Sequence, residues 1–266
     1  MRRTMMKGVL AAWLLAGGCA AQAAEWHDSA AVAAAFADAG VQGTFVLYDV
    51  ERDRYTVHDR ARAGRRYVPA STYKIPNSLI ALAVGSVESV DEVLPYGGKP
   101  ARLKQWEQDM SLREAIKASN VPVYQELARR TGHARMREQL ARIDYGNNDI
   151  GTVVDRFWLD GPLTISALEQ ARFLARLAQD RLPFPKEAMA AVREITLLER
   201  TPQYALHGKT GWSDAEGRDL GWWVGWVIKG GRVFAFALNL DIKSDADGPK
   251  RVAVGRASLK ALGVLP

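Results

Sequence analysis

Apolar and polar positions alternate along two separate parts of the chain, as they do in half-buried β-strands. The first part, residues 43–58, indicates a hairpin that turns at 51–53. The second part begins after residue 203 and contains a Gly-Gly turn at 229–231. It predicts three strands, at residues 204–212, 220–228 and 233–241.

Between these parts, residues 69–200 have the spacing of amphipathic helices. Ser111 and Ser166 each begin a capping box, in which the serine caps a helix and a glutamate three residues later bonds back to it. A final helix is predicted at 250–262, before Gly263. Helices between two groups of strands predict an α+β fold, with one antiparallel sheet built from both termini and packed with a mainly helical region.

Three tryptophans in the predicted strand 220–228 indicate that the sheet is buried on both faces. Strand alternation places Trp222 and Trp226 on one face and Trp223 on the other. Large aromatic side chains on both faces favour core packing over a binding platform.

The first 23 residues have the three parts of a secretory signal peptide: a basic start, a short apolar stretch and the small-residue segment Ala21-Gln22-Ala23. We expect cleavage after Ala23, export to the periplasm, and a single domain over residues 24–266. Two alternatives stay open. The segment could be a buried N-terminal helix, or a lipoprotein leader that makes Cys19 the first mature residue.

Composition narrows the class of protein. The leader contains three of the 36 basic residues, so the mature chain is only slightly basic against its 30 acidic residues, and we expect no nucleic-acid binding. The only cysteine is Cys19, and the four histidines lack His-x-x-x-His spacing, so we expect no disulfide and no metal site. After the leader no apolar run approaches ~20 residues, which predicts a soluble chain without stable membrane insertion. We expect a monomer or a weak homodimer.

Two short strings contain the candidate chemistry. Ser71-Thr72-Tyr73-Lys74 at a helix start places a hydroxyl and an amine one turn apart, where the amine can activate the hydroxyl. Lys209-Thr210-Gly211 lies in a predicted strand, where glycine lets a ligand or another backbone approach closely. Gly208-Lys209-Thr210 also resembles the end of a phosphate-binding loop, but Gln203 stands where that loop needs its first glycine. Taken alone, the second string fits a plain edge strand equally well.

Further strings follow in order along the chain: Ser119-Asn120-Val121, Tyr145-Gly146-Asn147, Phe157-Trp158-Leu159-Asp160-Gly161-Pro162-Leu163 and Gln170-Ala171-Arg172-Phe173-Leu174. With the two strings above, they resemble the class D, oxacillinase-type serine β-lactamases of the penicillin-recognising serine enzyme superfamily. The resemblance runs from about Thr44 to the C-terminus and implies a β-lactamase/transpeptidase-like fold. Class A relatives would have Ser-Asp-Asn where this chain has Ser119-Asn120-Val121. The apolar Val121 cannot form the hydrogen bonds of an asparagine.

The resemblance implies the catalytic roles. Ser71 is the nucleophile, and Lys74, N6-carboxylated by CO2, is the general base. Ser119 passes a proton to the leaving nitrogen, and the indole N–H of Trp158 anchors the carbamate, although Trp158 also fits plain core packing. The backbone N–H groups of Ser71 and Trp212 form the oxyanion hole. No bound cofactor and no metal are expected.

The resemblance also implies a substrate-binding set. Lys209, Thr210 and Arg251 are expected to hold the substrate carboxylate, although Lys250 and Arg256 are near enough in sequence to Arg251 to be confused with it. The remaining members of the set are Val121, Tyr145, Asn147, Gly211 and Trp212. Tyr145 and Asn147 are expected to shape the wall of the cleft, but Tyr-Gly-Asn is also common in ordinary turns.

The implied function is hydrolysis of β-lactam antibiotics, penicillins and oxacillin-type substrates, through a serine acyl-enzyme, which confers resistance. One alternative is a penicillin-binding transpeptidase or carboxypeptidase, which deacylates slowly. Another is a β-lactam-sensing receptor domain that remains acylated. The sequence leaves the substrate spectrum, including carbapenems, and the oligomeric state undecided.

Overall fold

The computed structural model describes residues 25–217 and 219–266. The predicted signal peptide, with Cys19, lies outside the described residues. The α-helices are α1 Ala30–Ala39, α2 Arg60–Ala63, α3 Lys74–Ala83, α4 Leu112–Ala118, α5 Val121–Thr131, α6 His133–Ile143, α7 Ala167–Ala178, α8 Lys186–Ile195 and α9 Lys250–Ala261. The strands are β1 Glu25–Asp28, β2 Gly43–Asp49, β3 Arg54–His58, β4 Val93–Leu94, β5 Met110–Ser111, β6 Leu197–Arg200, β7 Tyr204–Ser213, β8 Leu220–Lys229 and β9 Arg232–Asp241.

Strands from both ends of the described chain form one sheet, in the order β1-β3-β2-β9-β8-β7-β6. The two ends meet where β2 pairs antiparallel with β9, from Gly43 opposite Leu240 to Asp49 opposite Phe234. The predicted α+β architecture is therefore confirmed. One detail was wrong: β1 runs parallel to β3, so the sheet is mixed and not wholly antiparallel. The chain reaches this parallel position because α1 lies between β1 and β2.

The sheet separates two apolar cores, as the tryptophan pattern predicts. Trp222 and Trp226 pack with the large helical region on one face. Trp223 lies on the other face, in the core formed with α1 and α9. Burial of both faces holds β7 and β8 in a fixed position between the two layers.

Local signals placed several elements correctly. Ser111 and Ser166 form the predicted capping boxes at the starts of α4 and α7. The elements that were not predicted are β1, α1, α2, β4, β5 and β6. Each has a weak pattern, because α1 buries only Val32 and Phe36 among ten residues and the others are two to four residues long. Within the described ranges, no helix has the length and apolar character needed to cross a bilayer.

Candidate active site

The Ser71 hydroxyl and the Lys74 amine are in contact. A 3₁₀ turn over Ala70–Tyr73 runs directly into α3, which begins at Lys74. This places Lys74 Nζ 3.0 Å from Ser71 Oγ, to which it donates a hydrogen bond. Ala70 begins the turn with a φ of 48°, in the left-handed region that residues other than glycine seldom adopt. The pairing that the Ser-x-x-Lys spacing predicts is therefore present.

Lys74 is an amine without access to water. Its side chain is 0% exposed, and its Nζ lies 5.1 Å from the centre of the Tyr124 ring. Burial, together with the nearby charge of Lys209, holds the pKa of Lys74 well below its ordinary value. A buried amine with a lowered pKa loses its proton more readily, and a neutral amine can accept a proton or react with CO2.

The indole of Trp158 packs over the residue that precedes Lys74. Its ring stacks on Tyr73 with the centroids 5.4 Å apart. Trp158 is fully buried, and its Nε1 has no hydrogen-bond partner among the described residues. A buried N–H without an acceptor is unfavourable by about 1–3 kcal/mol, so an acceptor placed there would bind well. This donor fits a negatively charged group on Lys74.

Ser119 lies at the point where α4 ends and the chain turns toward α5. It is the C-cap of α4, with a φ of 55°. Lys209 Nζ donates to Ser119 Oγ at 3.0 Å and to the Thr210 carbonyl at 3.0 Å. Burial and the charge of Arg251 lower the pKa of Lys209 to about 7. A second amine with a readily lost proton therefore lies beside a second hydroxyl.

Strand β7 approaches the Ser71 turn at Gly211. A Cβ on Gly211 would lie 3.0 Å from the Pro69 carbonyl oxygen and 3.1 Å from Cγ2 of Thr72. Glycine therefore permits the close approach that its position in the strand predicts. Thr210, half-buried, precedes it in the strand.

Arg251 reaches the same strand from the first turn of α9. Its Nε donates to the Gly248 carbonyl at 2.6 Å, and its Nη1 donates to the Gly211 carbonyl. Its guanidinium also lies over the Trp212 ring, 5.3 Å from the centroid. A Cβ at Gly221 would lie 2.4 Å from Arg251 Cδ, so the arginine crosses β8 where the strand has no side chain.

Lys250 and Arg256, the two cations near Arg251 in the sequence, form ion pairs with other residues. Lys250 Nζ pairs with Asp247 at 2.8 Å. Arg256 pairs with Glu199 at 2.5 Å. Of these three basic residues, Arg251 is the one that bonds to the carbonyl of Gly211, and it stays the candidate for the carboxylate.

Tyr145 does not line the cleft, contrary to the sequence interpretation. Its side chain is 0% exposed, and its hydroxyl donates to Gln170 Oε1 at 3.2 Å. Gln170 Nε2 in turn donates to Thr72 Oγ1 at 2.8 Å. Tyr145 therefore supports the Ser71 turn through Gln170. The pattern could not distinguish the two positions, because an apolar ring with a hydroxyl suits a core as well as a wall.

Asn147 and Val121 occupy different parts of the site region. Asn147 is exposed and connects two loops: its Nδ2 donates to the Pro162 carbonyl at 2.8 Å, and its Oδ1 accepts the Thr164 N–H at 3.0 Å. This is the turn role that the sequence left open. Val121 begins α5, two residues after Ser119, and is half-buried.

Asn120 and Trp106 support the Ser119 turn and were not singled out from the sequence. Asn120 Oδ1 accepts the Val123 N–H at 3.1 Å, and its Nδ2 donates to the Trp106 carbonyl at 3.1 Å. Trp106 Nε1 donates to the Ala118 carbonyl at 3.0 Å. An Asn-x-Pro start signals an N-cap and could have identified Asn120. No local pattern reveals the contact with Trp106.

Comparisons with known proteins agree with this geometry. The penicillin-binding protein transpeptidase domain matches residues 43–260. The chain is 41% identical over 233 residues to β-lactamase OXA-5 of Pseudomonas aeruginosa, covering 86% of this chain and 87% of that protein. It is 39% identical over 249 residues to β-lactamase OXA-48 of Klebsiella pneumoniae, covering 94% of each.

A solved structure shows the same fold. FUS-1 (OXA-85), a class D β-lactamase from Fusobacterium nucleatum subsp. polymorphum, superimposes with a TM-score of 0.87 at 42% identity, over 90% of this chain and 100% of that one. The domain match, the sequence identities and the superposition each cover most of this chain and indicate related proteins. The chain therefore belongs to the class D, OXA-type serine β-lactamases and is a β-lactam hydrolase.

Proposed function

We propose that this class D β-lactamase hydrolyses penicillins, including oxacillin-type substrates, through an ester on Ser71, with N6-carboxylated Lys74 as the base. The observation that carries the proposal is the 3.0 Å contact between Lys74 Nζ and Ser71 Oγ, with Lys74 wholly buried. A serine needs an adjacent base to become a good nucleophile, and this is the amine within reach of it.

The reaction divides between two pairs of residues, Ser71 with Lys74 and Ser119 with Lys209. Ser71 Oγ attacks the lactam carbonyl, and the proton of its hydroxyl leaves toward Lys74. The lactam C–N bond then breaks, and Ser119 Oγ, which accepts a hydrogen bond from Lys209 Nζ, delivers a proton to the leaving nitrogen. Water hydrolyses the resulting ester and frees Ser71. The backbone N–H groups of Ser71 and Trp212 stabilise the oxyanion in both halves.

The carbamate on Lys74 supplies an oxygen base and a negative charge in place of the neutral amine. Three observations support it. Lys74 is buried with a lowered pKa, Trp158 Nε1 is a buried donor without a partner among the described residues, and Trp158 stacks on Tyr73, which precedes Lys74. Trp226 Nε1 also has no partner among these residues, so the missing bond alone does not distinguish the two tryptophans. The stacking on Tyr73 favours Trp158 as the donor to the carbamate.

Lys209, Thr210 and Arg251 hold the substrate carboxylate in this proposal. Arg251 already donates to the backbone of β7 at Gly211, and Lys209 precedes Thr210 in the same strand. A guanidinium suits a planar anion because it presents parallel N–H donors. Gly211 lets β7 pack closely against the turn that contains Ser71.

Steady-state turnover of a chromogenic cephalosporin tests hydrolysis and separates it from the two alternatives. A hydrolase turns over many equivalents, whereas a transpeptidase or a sensor domain is acylated once and stops. Ser71→Ala should lower kcat by roughly a thousandfold or more. The matched control is Ser89→Ala, because Ser89 is exposed, and this variant should retain parental turnover. A Ser71→Ala protein with parental activity would overturn serine catalysis.

CO2 depletion tests the carbamate. Activity should fall in mildly acid buffer freed of CO2, because acid and the lack of CO2 both disfavour the carbamate, and should return when bicarbonate is added. Activity that is independent of bicarbonate would contradict a carboxylated Lys74.

Export to the periplasm is proposed from residues 1–23. The N-terminus of protein recovered from a periplasmic extract should be Ala24. Lipid on Cys19, or a chain that still begins at Met1, would contradict cleavage after Ala23.

A further inference from the structure

A cavity of about 290 Å³ lies beside the proposed carboxylate site. One side of it is the β7 segment that contains Lys209 and Thr210. Leu198 of β6, Trp223 of β8 and Val252 of α9 also line it. We call this space the β6–α9 cavity.

The cavity lies on the α9 face of the sheet, to which Thr210 belongs. Along β7, Lys209 points toward the helical region, where its Nζ meets Ser119. Thr210 pairs with Trp223, whose side chain is in the core shared with α9. Because neighbouring strand residues point to opposite faces, the Thr210 side chain faces the cavity. A carboxylate held by Thr210 would therefore be at the mouth of the β6–α9 cavity.

Two features of the sequence keep the cavity open and apolar. A Cβ on Gly208 would lie 3.1 Å from Leu198 Cδ1 and 3.3 Å from Trp223 Nε1, so glycine leaves the inner end free. Leu198 is 55% exposed although it is a large apolar side chain. Burying such a surface against a ligand is favourable.

Charge at the rim indicates the kind of ligand. Lys117 is exposed at the edge, and Arg256, bound to Glu199, lies beside Val252 on the same cavity. Since Glu199 offsets the charge of Arg256, Lys117 is the cation that favours an anion at the rim, while the walls favour an apolar group. Concave apolar walls with a few polar groups at one end are typical of small-molecule sites.

We propose that the β6–α9 cavity binds an apolar, aryl-bearing substituent on the ring carbon next to the substrate carboxylate, the 3-position of cephalosporins. This inference rests on the proposed function and deepens it, because it names the substrate class that the site prefers. When Thr210 takes part in holding the carboxylate, a group on the adjacent ring carbon is directed toward the mouth of the cavity that Thr210 lines. Cephalosporins with a large apolar 3-substituent are then better substrates than those with a small one.

The test compares two cephalosporins that share one acylamino side chain and carry either a 3-methyl or a 3-styryl group. Val252→Trp fills the cavity and should lower kcat/KM for the 3-styryl compound by roughly tenfold, leaving the 3-methyl compound within about twofold. Leu198→Ala removes an apolar wall. It should lower the ratio of kcat/KM for the 3-styryl compound to kcat/KM for the 3-methyl compound by roughly threefold. The matched control is Val153→Trp, at an exposed valine that does not line the cavity, and its ratio should equal that of the parent.

The ratio is measured on one preparation, so partial misfolding of a variant affects both substrates equally and cancels. Equal ratios in the parent, Val252→Trp and Leu198→Ala proteins would overturn the cavity proposal while leaving hydrolysis intact. If the parent hydrolysed neither compound, the proposed function would fail instead. The two failures are therefore distinguishable.

Discussion

Trp158 is the residue at which catalysis and packing can be separated. Trp158→Phe retains much of the ring stacked on Tyr73 but removes the only N–H donor. If that donor holds the Lys74 carbamate, its loss weakens the carbamate by roughly 1.5–3 kcal/mol. The variant should then need more bicarbonate than the parent for half-maximal activity, as measured by kinetics across a bicarbonate series.

Trp226→Phe is the matched control for Trp158→Phe. Trp226 is also fully buried, and its Nε1 has no partner within the part of the chain that the structure describes, but it stacks on His207 in the sheet. The activity of Trp226→Phe should depend on bicarbonate concentration in the same way as that of the parent. If both variants have the parental curve, Trp158 is simply a core residue.

Lys209 gives a pH-dependent prediction. Burial lowers its folded pKa to about 7 from a usual 10.5, so the unfolded state binds the proton more tightly. Stability from this group is therefore lost as the pH falls toward 7 and is gained as the pH rises toward 10.5. Relative to Lys209→Gln, the free energy of unfolding of the parent should rise by about 2 kcal/mol from about pH 7 to about pH 9 in urea titrations. A constant difference across this range would contradict a lowered pKa.

At the residue scale, the sequence predicted contacts that depend on spacing within one element. Ser71 and Lys74 are three residues apart at a helix start, so helix geometry alone brings them together. The contact of Lys209 with Ser119 joins residues 90 positions apart and was not predicted, because the resemblance named both residues without pairing them. Tyr145 was placed wrongly because its burial depends on how α7 and the Ser71 turn pack, which no local pattern contains.

At the scale of elements, the distance between β7 and the Ser71 turn depends on Gly211. Gly211→Ala would place a methyl group 3.0 Å from the Pro69 carbonyl and 3.1 Å from Thr72 Cγ2, so the strand or the turn must shift. We expect a stability loss of about 1–3 kcal/mol and a fall in kcat, because the shift displaces Ser71. Thermal unfolding and steady-state kinetics measure both.

Gly64→Ala is the control at the same scale. Its φ is −86° and its new Cβ would meet nothing closer than 4.0 Å, so stability and kcat should match the parent. If Gly211→Ala behaved like this control, the close packing of β7 on the turn would not position Ser71.

The elements predicted from sequence are those with a signal inside their own residues. The hairpin of β2 and β3, the glycine turn between β8 and β9, and the capping boxes of α4 and α7 are all local. Strand β6 follows α8 directly and pairs with β7 through an irregular register, so its four residues look like the end of a helical region. Strand β1 is defined by its parallel partner β3, which sequence alternation does not identify.

At the scale of the whole molecule, a sheet assembled from both termini predicts one cooperative unit. Trp158 of the helical region and Trp222 of the sheet belong to the same apolar core. Unfolding in urea should therefore give coincident transitions by far-UV circular dichroism, tryptophan fluorescence and loss of activity. Two separated transitions would contradict the prediction of one domain. Light scattering on the same samples checks the expected monomer or weak homodimer.

The acyl-enzyme tests the central claim most directly. The parent and Lys74→Ala are mixed with a penicillin, quenched in acid, and examined by intact mass and peptide mapping. We predict that the parent returns to its free mass as substrate is consumed, whereas Lys74→Ala retains a penicilloyl adduct on the peptide that contains Ser71. An adduct on another residue, or a Lys74→Ala enzyme that clears its adduct as fast as the parent, would contradict catalysis by Ser71 and Lys74.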